Sequence, residues 1–142
     1  MSYEIVRGDL TTHLRRNQWF AQNGYYPKAH AAIGDTPYFL ASIVERYGKE
    51  GAAPTKGGVD GAFARVSKGF MGKDWDGFSD VYAYQAWVTE WSSLLLDFVH
   101  PGALLMLFGG TRTYHRIAAG LEDAGWIITD SIMSWNYGSG LP

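Results

Sequence analysis

The feature that most constrains this chain is an uninterrupted apolar run, Ala103 to Phe108, set between two helical periodicities. A strand covered on both faces of a parallel sheet needs such a run, because both of its alternating sides meet hydrophobic neighbours. Before it, Tyr84, Trp87, Val88, Trp91, Leu94, Leu95 and Phe98 recur at the three-four spacing of an amphipathic helix that begins after Asp80. His100-Pro101-Gly102 is expected to stop that helix. After the run, Gly109-Gly110-Thr111 makes a turn. Tyr114, Ile117, Ala118, Leu121 and Ala124 then mark the inward side of a second helix ending at Gly125, and Trp126 to Trp135 reads as another strand. Helix, buried strand, turn, helix, strand is the alternation of a doubly wound α/β fold. Ligands bind such sheets beyond the carboxyl ends of the strands, where Asp9, Asp35 and Gly109 each fall.

Upstream the signals are shorter. Tyr3 to Val6 reads as a strand, broken by Gly8-Asp9 and followed by a short helix through Arg16; Asn17 to Lys28 holds turn formers and aromatics and reads as a loop. His30 to Ile33 is a short apolar run ending at Gly34-Asp35, and Phe39 to Tyr47 puts Phe39, Leu40, Ile43, Val44 and Tyr47 on one helical face. Gly48 to Gly77 carries eight glycines and no periodicity. With the turn before Asp80 it forms an insertion over 48–79 in a single domain spanning 1–142, and it reads as a substrate-facing loop.

Composition narrows the function classes. No apolar run approaches the ~20 residues that span a bilayer, and the polar start lacks a signal-peptide core. The absence of cysteine removes disulfides and cysteine-based zinc sites. A soluble protein of the reducing cytoplasm is expected. The net charge of −2 argues against tight DNA binding by charge alone, since phosphate neutralisation supplies most non-specific affinity.

The residues that carry chemistry are Asp35-Thr36-Pro37-Tyr38. An Asp at a strand's end can accept one hydrogen of an amine. The Thr36 carbonyl beside Pro37 can accept the other, because a residue before proline is pushed into extended geometry. The Tyr38 ring can stack on a flat heterocycle. These are the needs of methyl transfer to an exocyclic base amine, whose lone pair is delocalised into the ring. Two acceptors favour a more tetrahedral nitrogen with its lone pair available, so catalysis becomes positioning and electrostatics. The base must first leave the duplex stack, and an aromatic platform helps hold it there. Alone, the same four residues also make an ordinary turn.

Asp35-Thr36-Pro37-Tyr38 resembles the Asp-Pro-Pro-Tyr loop of the adenine-N6 and cytosine-N4 DNA methyltransferases. The resemblance continues through Lys68-Gly69-Phe70-Met71-Gly72-Lys73-Asp74-Trp75-Asp76 and resumes at Phe108-Gly109-Gly110-Thr111-Arg112-Thr113-Tyr114-His115-Arg116. It extends into Glu122-Asp123-Ala124-Gly125-Trp126 and closes with Tyr137-Gly138-Ser139-Gly140-Leu141-Pro142. These stretches, in this order, are similar to phage and bacterial members, including those of restriction-modification systems, from about Ile33 to Pro142.

The resemblance implies a partial Rossmann-like methyltransferase sheet, S-adenosylmethionine as methyl donor and DNA as substrate, with adenine N6 favoured slightly over cytosine N4. It implies that Asp35 and the Thr36 carbonyl grip the amine, Pro37 fixes the turn and Tyr38 stacks on the flipped base. Thr36 departs from the family's proline, which reduces stiffness but keeps the carbonyl. Gly8-Asp9 resembles the family's Gly-Asp element near the cofactor's adenosine, making Asp9 the cofactor candidate; its plainer reading is a helix N-cap.

The family's aromatic-x-Gly-x-Gly cofactor loop is not found. A truncated enzyme, one half of a split enzyme, or a non-catalytic partner subunit is therefore expected. A small-molecule methyltransferase fits the Gly109 to Arg116 stretch less well.

The other candidates carry plainer readings. Gly109-Gly110-Thr111-Arg112 lacks phosphate-loop spacing, so tight packing with Thr111 or Thr113 as helix cap is expected, and Arg112 or His115 near substrate is secondary. Arg65, Lys68 and Lys73 are either DNA-phosphate contacts or solvated charges, and Trp75 is a contact candidate. His13, His30, His100 and His115 show no ligand spacing, so no metal is expected; His30 is read as packing and His100 as capping.

Overall fold

A computed structural model describes residues 5–39, 78–130 and 132–134. Two parallel strands lie beside a layer of helices. Helix α1 is Leu10–Gln22, and strand β1 is Ala29–Asp35. Helix α2, Val81–Leu95, runs into a 3-10 turn at Leu96–Phe98. Strand β2 is Val99–Phe108, and helix α3 is Tyr114–Ala124. This is an α/β arrangement.

Helix α1 starts at Asp9, whose side chain accepts from the Thr12 backbone N–H at 2.7 Å. It runs on past Arg16 through residues whose sequence suggests a loop. Contacts remote in sequence explain the extension. The Gln18 and Gln22 amides both donate to the Asp97 carboxylate, at 2.9 and 3.0 Å, and Leu14 and Ala21 are buried with Phe98. The loop begins only at Asn23 and Gly24, where φ is +77°. Ile5 and Val6 are exposed and outside any strand, so the described part of the expected first strand is not one.

The strands pair from Ala31 opposite Leu104 to Asp35 opposite Phe108. β2 begins earlier than the apolar run suggests, at Val99. The register shifts between Ala29 and Ala31, because Ala29 pairs with Val99 and Ala31 with Leu104. Pro101, with no N–H for the ladder, and Gly102, at φ +82°, fall in that irregular stretch. The helix therefore stops before His100-Pro101-Gly102, which belongs to the strand instead.

Helix α2 is capped by Asp80, which accepts from the Tyr82 and Ala83 N–H groups at 2.8 Å each. Tyr84, Val88 and Trp91 form the core with Phe39, Ile117 and Leu121, and Leu105 and Leu107 pack against it from β2. Gly120 lets α3 approach α2: a Cβ there would lie 2.9 Å from the Gln85 carbonyl oxygen and from Val88. Gly125, at φ +102°, ends α3, and the Trp126 ring N–H donates to the Ser92 carbonyl at 3.1 Å.

Two expectations are corrected here. The other side of β2 is open: Leu104, Met106 and Phe108 are exposed with Ile33, so among the described residues the sheet has helices on one face only. Residues 126–130 and 132–134 form no strand, and Ile127 and Ile132 are exposed. A strand needs a neighbour's ladder, and among the described residues β2 pairs only with β1. The helix expected over Phe39 to Tyr47 and the insertion 48–79 lie outside the described residues, apart from Phe39, Phe78 and Ser79. No helix among the described residues is long and apolar enough to cross a membrane.

Candidate functional site

The parallel register sets the site. Asp35 and Phe108 are opposite each other at the carboxyl ends of their strands, so Thr36 to Phe39 and Gly109 to Thr113 leave the sheet side by side. Side chains alternate along a strand. Gly34 turns toward the helix layer, where a Cβ would come 3.0 Å from Leu107 Cδ2. Asp35 turns the other way and is exposed.

Four contacts shape the loop. The Tyr38 phenol donates to Asp35 Oδ1, closing a ring within the motif itself. The Tyr84 hydroxyl, from the buried side of α2, donates to the Pro37 carbonyl at 2.6 Å. The Thr113 hydroxyl, at the start of α3, donates to the Tyr38 carbonyl. Phe39 is 3% exposed and sits against Phe78 and Tyr84, with ring centroids 5.6 Å away in each case. Its φ of +41° is left-handed, a conformation that costs a residue with a Cβ about 1–2 kcal/mol.

The carbonyls of Pro37 and Tyr38 are thus taken by protein donors. Among the described residues, no side chain donates to the Thr36 carbonyl. The Thr36 hydroxyl is buried and has no hydrogen-bond partner, with its methyl group beside Gly34. The loop therefore offers an exposed carboxylate, a half-buried phenol ring and, among the described residues, one carbonyl with no side-chain donor. Chemically, this set can accept hydrogens from a flat amine.

Compared with protein-family models, curated proteins and solved structures, the chain matches none.

The remaining candidates fall elsewhere. Asp9 caps α1, and the Thr12 backbone N–H and then the Thr12 hydroxyl hold its carboxyl below the usual value. It lines a hollow of about 150 Å³ with Val6, Gly8, Leu10 and His13. Gly109 packs tightly, since a Cβ there would lie 3.0 Å from Ile117 Cδ1. Thr113 occupies the N-cap position of α3 but makes no side-chain capping bond; its hydroxyl donates to the Tyr38 carbonyl. Arg112 and His115 are exposed on that helix and the turn before it.

His30 does not pack into the core, and His100 does not cap a helix. Both are exposed, and their rings stack on each other across the strands at 4.4 Å. Arg65, Lys68, Lys73 and Trp75 lie outside the described residues. Sequence reasoning missed Tyr84 and Thr113 as parts of the site. Their spacing marks core and cap, and no local signal says that their hydroxyls reach a loop 47 and 75 residues away.

Proposed function

We propose that the chain is the catalytic-loop portion of an S-adenosylmethionine-dependent methyltransferase acting on an exocyclic amine of a DNA base, adenine N6 or cytosine N4, within a Rossmann-like sheet. The single observation that carries this reading is the exposed Asp35 carboxylate at a strand's end, bonded by the Tyr38 phenol within the same four residues. The ordered resemblance of the sequence to that family supports it.

On this reading Asp35 and the Thr36 carbonyl accept the two amine hydrogens. The nitrogen is drawn toward tetrahedral geometry, so its lone pair is no longer spread into the ring. Tyr38 has two roles available. Its phenol orients Asp35, and its ring offers a surface to a base taken out of the duplex stack. The rate gain would come from orientation and fixed dipoles rather than from a strong base.

The hollow that Asp9 lines does not by itself fit the methyl donor. The hollow at Asp9, at about 150 Å³, is smaller than the roughly 300 Å³ at which sites for ligands of drug or cofactor size begin. Asp9 is also engaged as a helix cap. The donor's site would therefore draw on residues beyond those lining this hollow. The open sheet face favours the second reading, a partner subunit that contributes the amine-binding loop to a split enzyme. Mass analysis of nucleosides tests the activity. DNA from cells expressing the full-length product that carries these residues is expected to contain N6-methyladenine or N4-methylcytosine. Finding only C5-methylcytosine, or unmodified DNA, would contradict it.

A further inference from the structure

Two hydroxyls from separate helices converge on one short loop. Tyr84 is fully buried and Thr113 is 5% exposed, and each gives its hydroxyl hydrogen to a loop carbonyl rather than to its own helix. Buried hydroxyls need partners, and these two find theirs in a loop 47 and 75 residues away in the chain. Thr113 stands at the N-cap of α3 and makes no side-chain capping bond there. The loop also ends on a left-handed, buried Phe39. Strain of this kind persists only where surrounding contacts over-determine the backbone, and it gathers at sites whose geometry matters.

We propose that Tyr84 and Thr113 are positioning residues for methyl transfer to the amine: by holding the Pro37 and Tyr38 carbonyls they fix the backbone that presents the Asp35 carboxylate and the Thr36 carbonyl. The proposal rests on the methyl-transfer reading and deepens it. The chain of action is short. The bond from Tyr84 fixes the residue after Thr36, and with it the plane in which the Thr36 carbonyl lies. The bond from Thr113 fixes the residue whose phenol holds Asp35. Neither hydroxyl touches substrate. Their effect would lie in turnover rather than binding, since a misplacement of about 1 Å can cost a hundredfold in rate.

The test uses Tyr84→Phe, Thr113→Val and Thr113→Ser in two readouts. In the full-length product, Tyr84→Phe and Thr113→Val are expected to lower kcat about tenfold or more, with KM for DNA within about twofold, and Thr113→Ser to restore most of the rate. The second readout does not need catalysis. In chain labelled with 3-fluorotyrosine, the Tyr38 fluorine resonance is assigned by Tyr38→Phe, and Asp35→Asn marks its position when the carboxylate is lost. Tyr84→Phe and Thr113→Val are expected to move it toward that position, and Thr113→Ser to leave it near the original. A resonance unmoved by both variants overturns the proposal, as does an unchanged kcat. An enzyme that methylates no DNA sinks the methyl-transfer reading instead, while the fluorine signal still decides whether the two hydroxyls hold the loop.

Discussion

Thr36 carries an unusual burden for a residue in so short a loop. Its hydroxyl is buried without a partner, which ordinarily costs about 1–3 kcal/mol, while the chemistry proposed for it uses only its backbone. Thr36→Val keeps the branched shape and removes the orphan group. It is expected to raise the unfolding free energy by about 1 kcal/mol in denaturant titration, and a loss of stability would mean that the hydroxyl has a partner. At this scale the sequence was legible where chemistry is local: Asp35, Pro37 and Tyr38 stand out through strand end, proline and aromatic. It was not legible where one atom of a core residue does the work. The spacing that places Tyr84 on the inner side of a helix is satisfied equally by Phe, so the hydroxyl leaves no trace in the pattern.

Among the elements, the helices after Phe78 were readable because each is punctuated at its ends. Asp80 caps α2, and Gly125 terminates α3 in the left-handed conformation. The second half of α1 was not readable, because it is held by Asp97 and Phe98, far along the chain. The start of β2 was hidden by Pro101 and Gly102, which read as breakers but are accommodated where the register shifts.

The two helix-capping carboxylates give these elements a defined response to acid. The Thr12 backbone N–H holds Asp9 below 3.8, and the Ala83 and Tyr82 backbone N–H groups hold Asp80 below the same value. A carboxylate lowered in the folded state stabilises it above the unfolded value, and that contribution is lost as pH falls through the folded one. Helix content by circular dichroism is therefore expected to hold from neutrality to about pH 4 and to decline below it. Asp80→Asn, which keeps an acceptor but does not titrate, should flatten part of that decline; an identical acid limb would remove Asp80 from the account.

The whole molecule shows an imbalance that no single residue does. Parallel sheets are almost always covered on both faces, yet Ile33, Leu104, Met106 and Phe108 are open while Leu105 and Leu107 are packed. The apolar run was legible as a strand, but the cover on both sides that it suggests is not found among the described residues. Asp35 projects from this same face, so the carboxylate proposed to grip the amine lies where, among the described residues, no helix covers the sheet. The central claim is that Asp35 acts on the substrate amine and not on the methyl donor. Measuring DNA methylation and S-adenosylmethionine affinity side by side, in the full-length product and its Asp35→Ala variant, tests it most directly. Methylation should be abolished with the donor's affinity unchanged, whereas near-normal turnover, or a loss of donor binding that accounts for the lost rate, would contradict it.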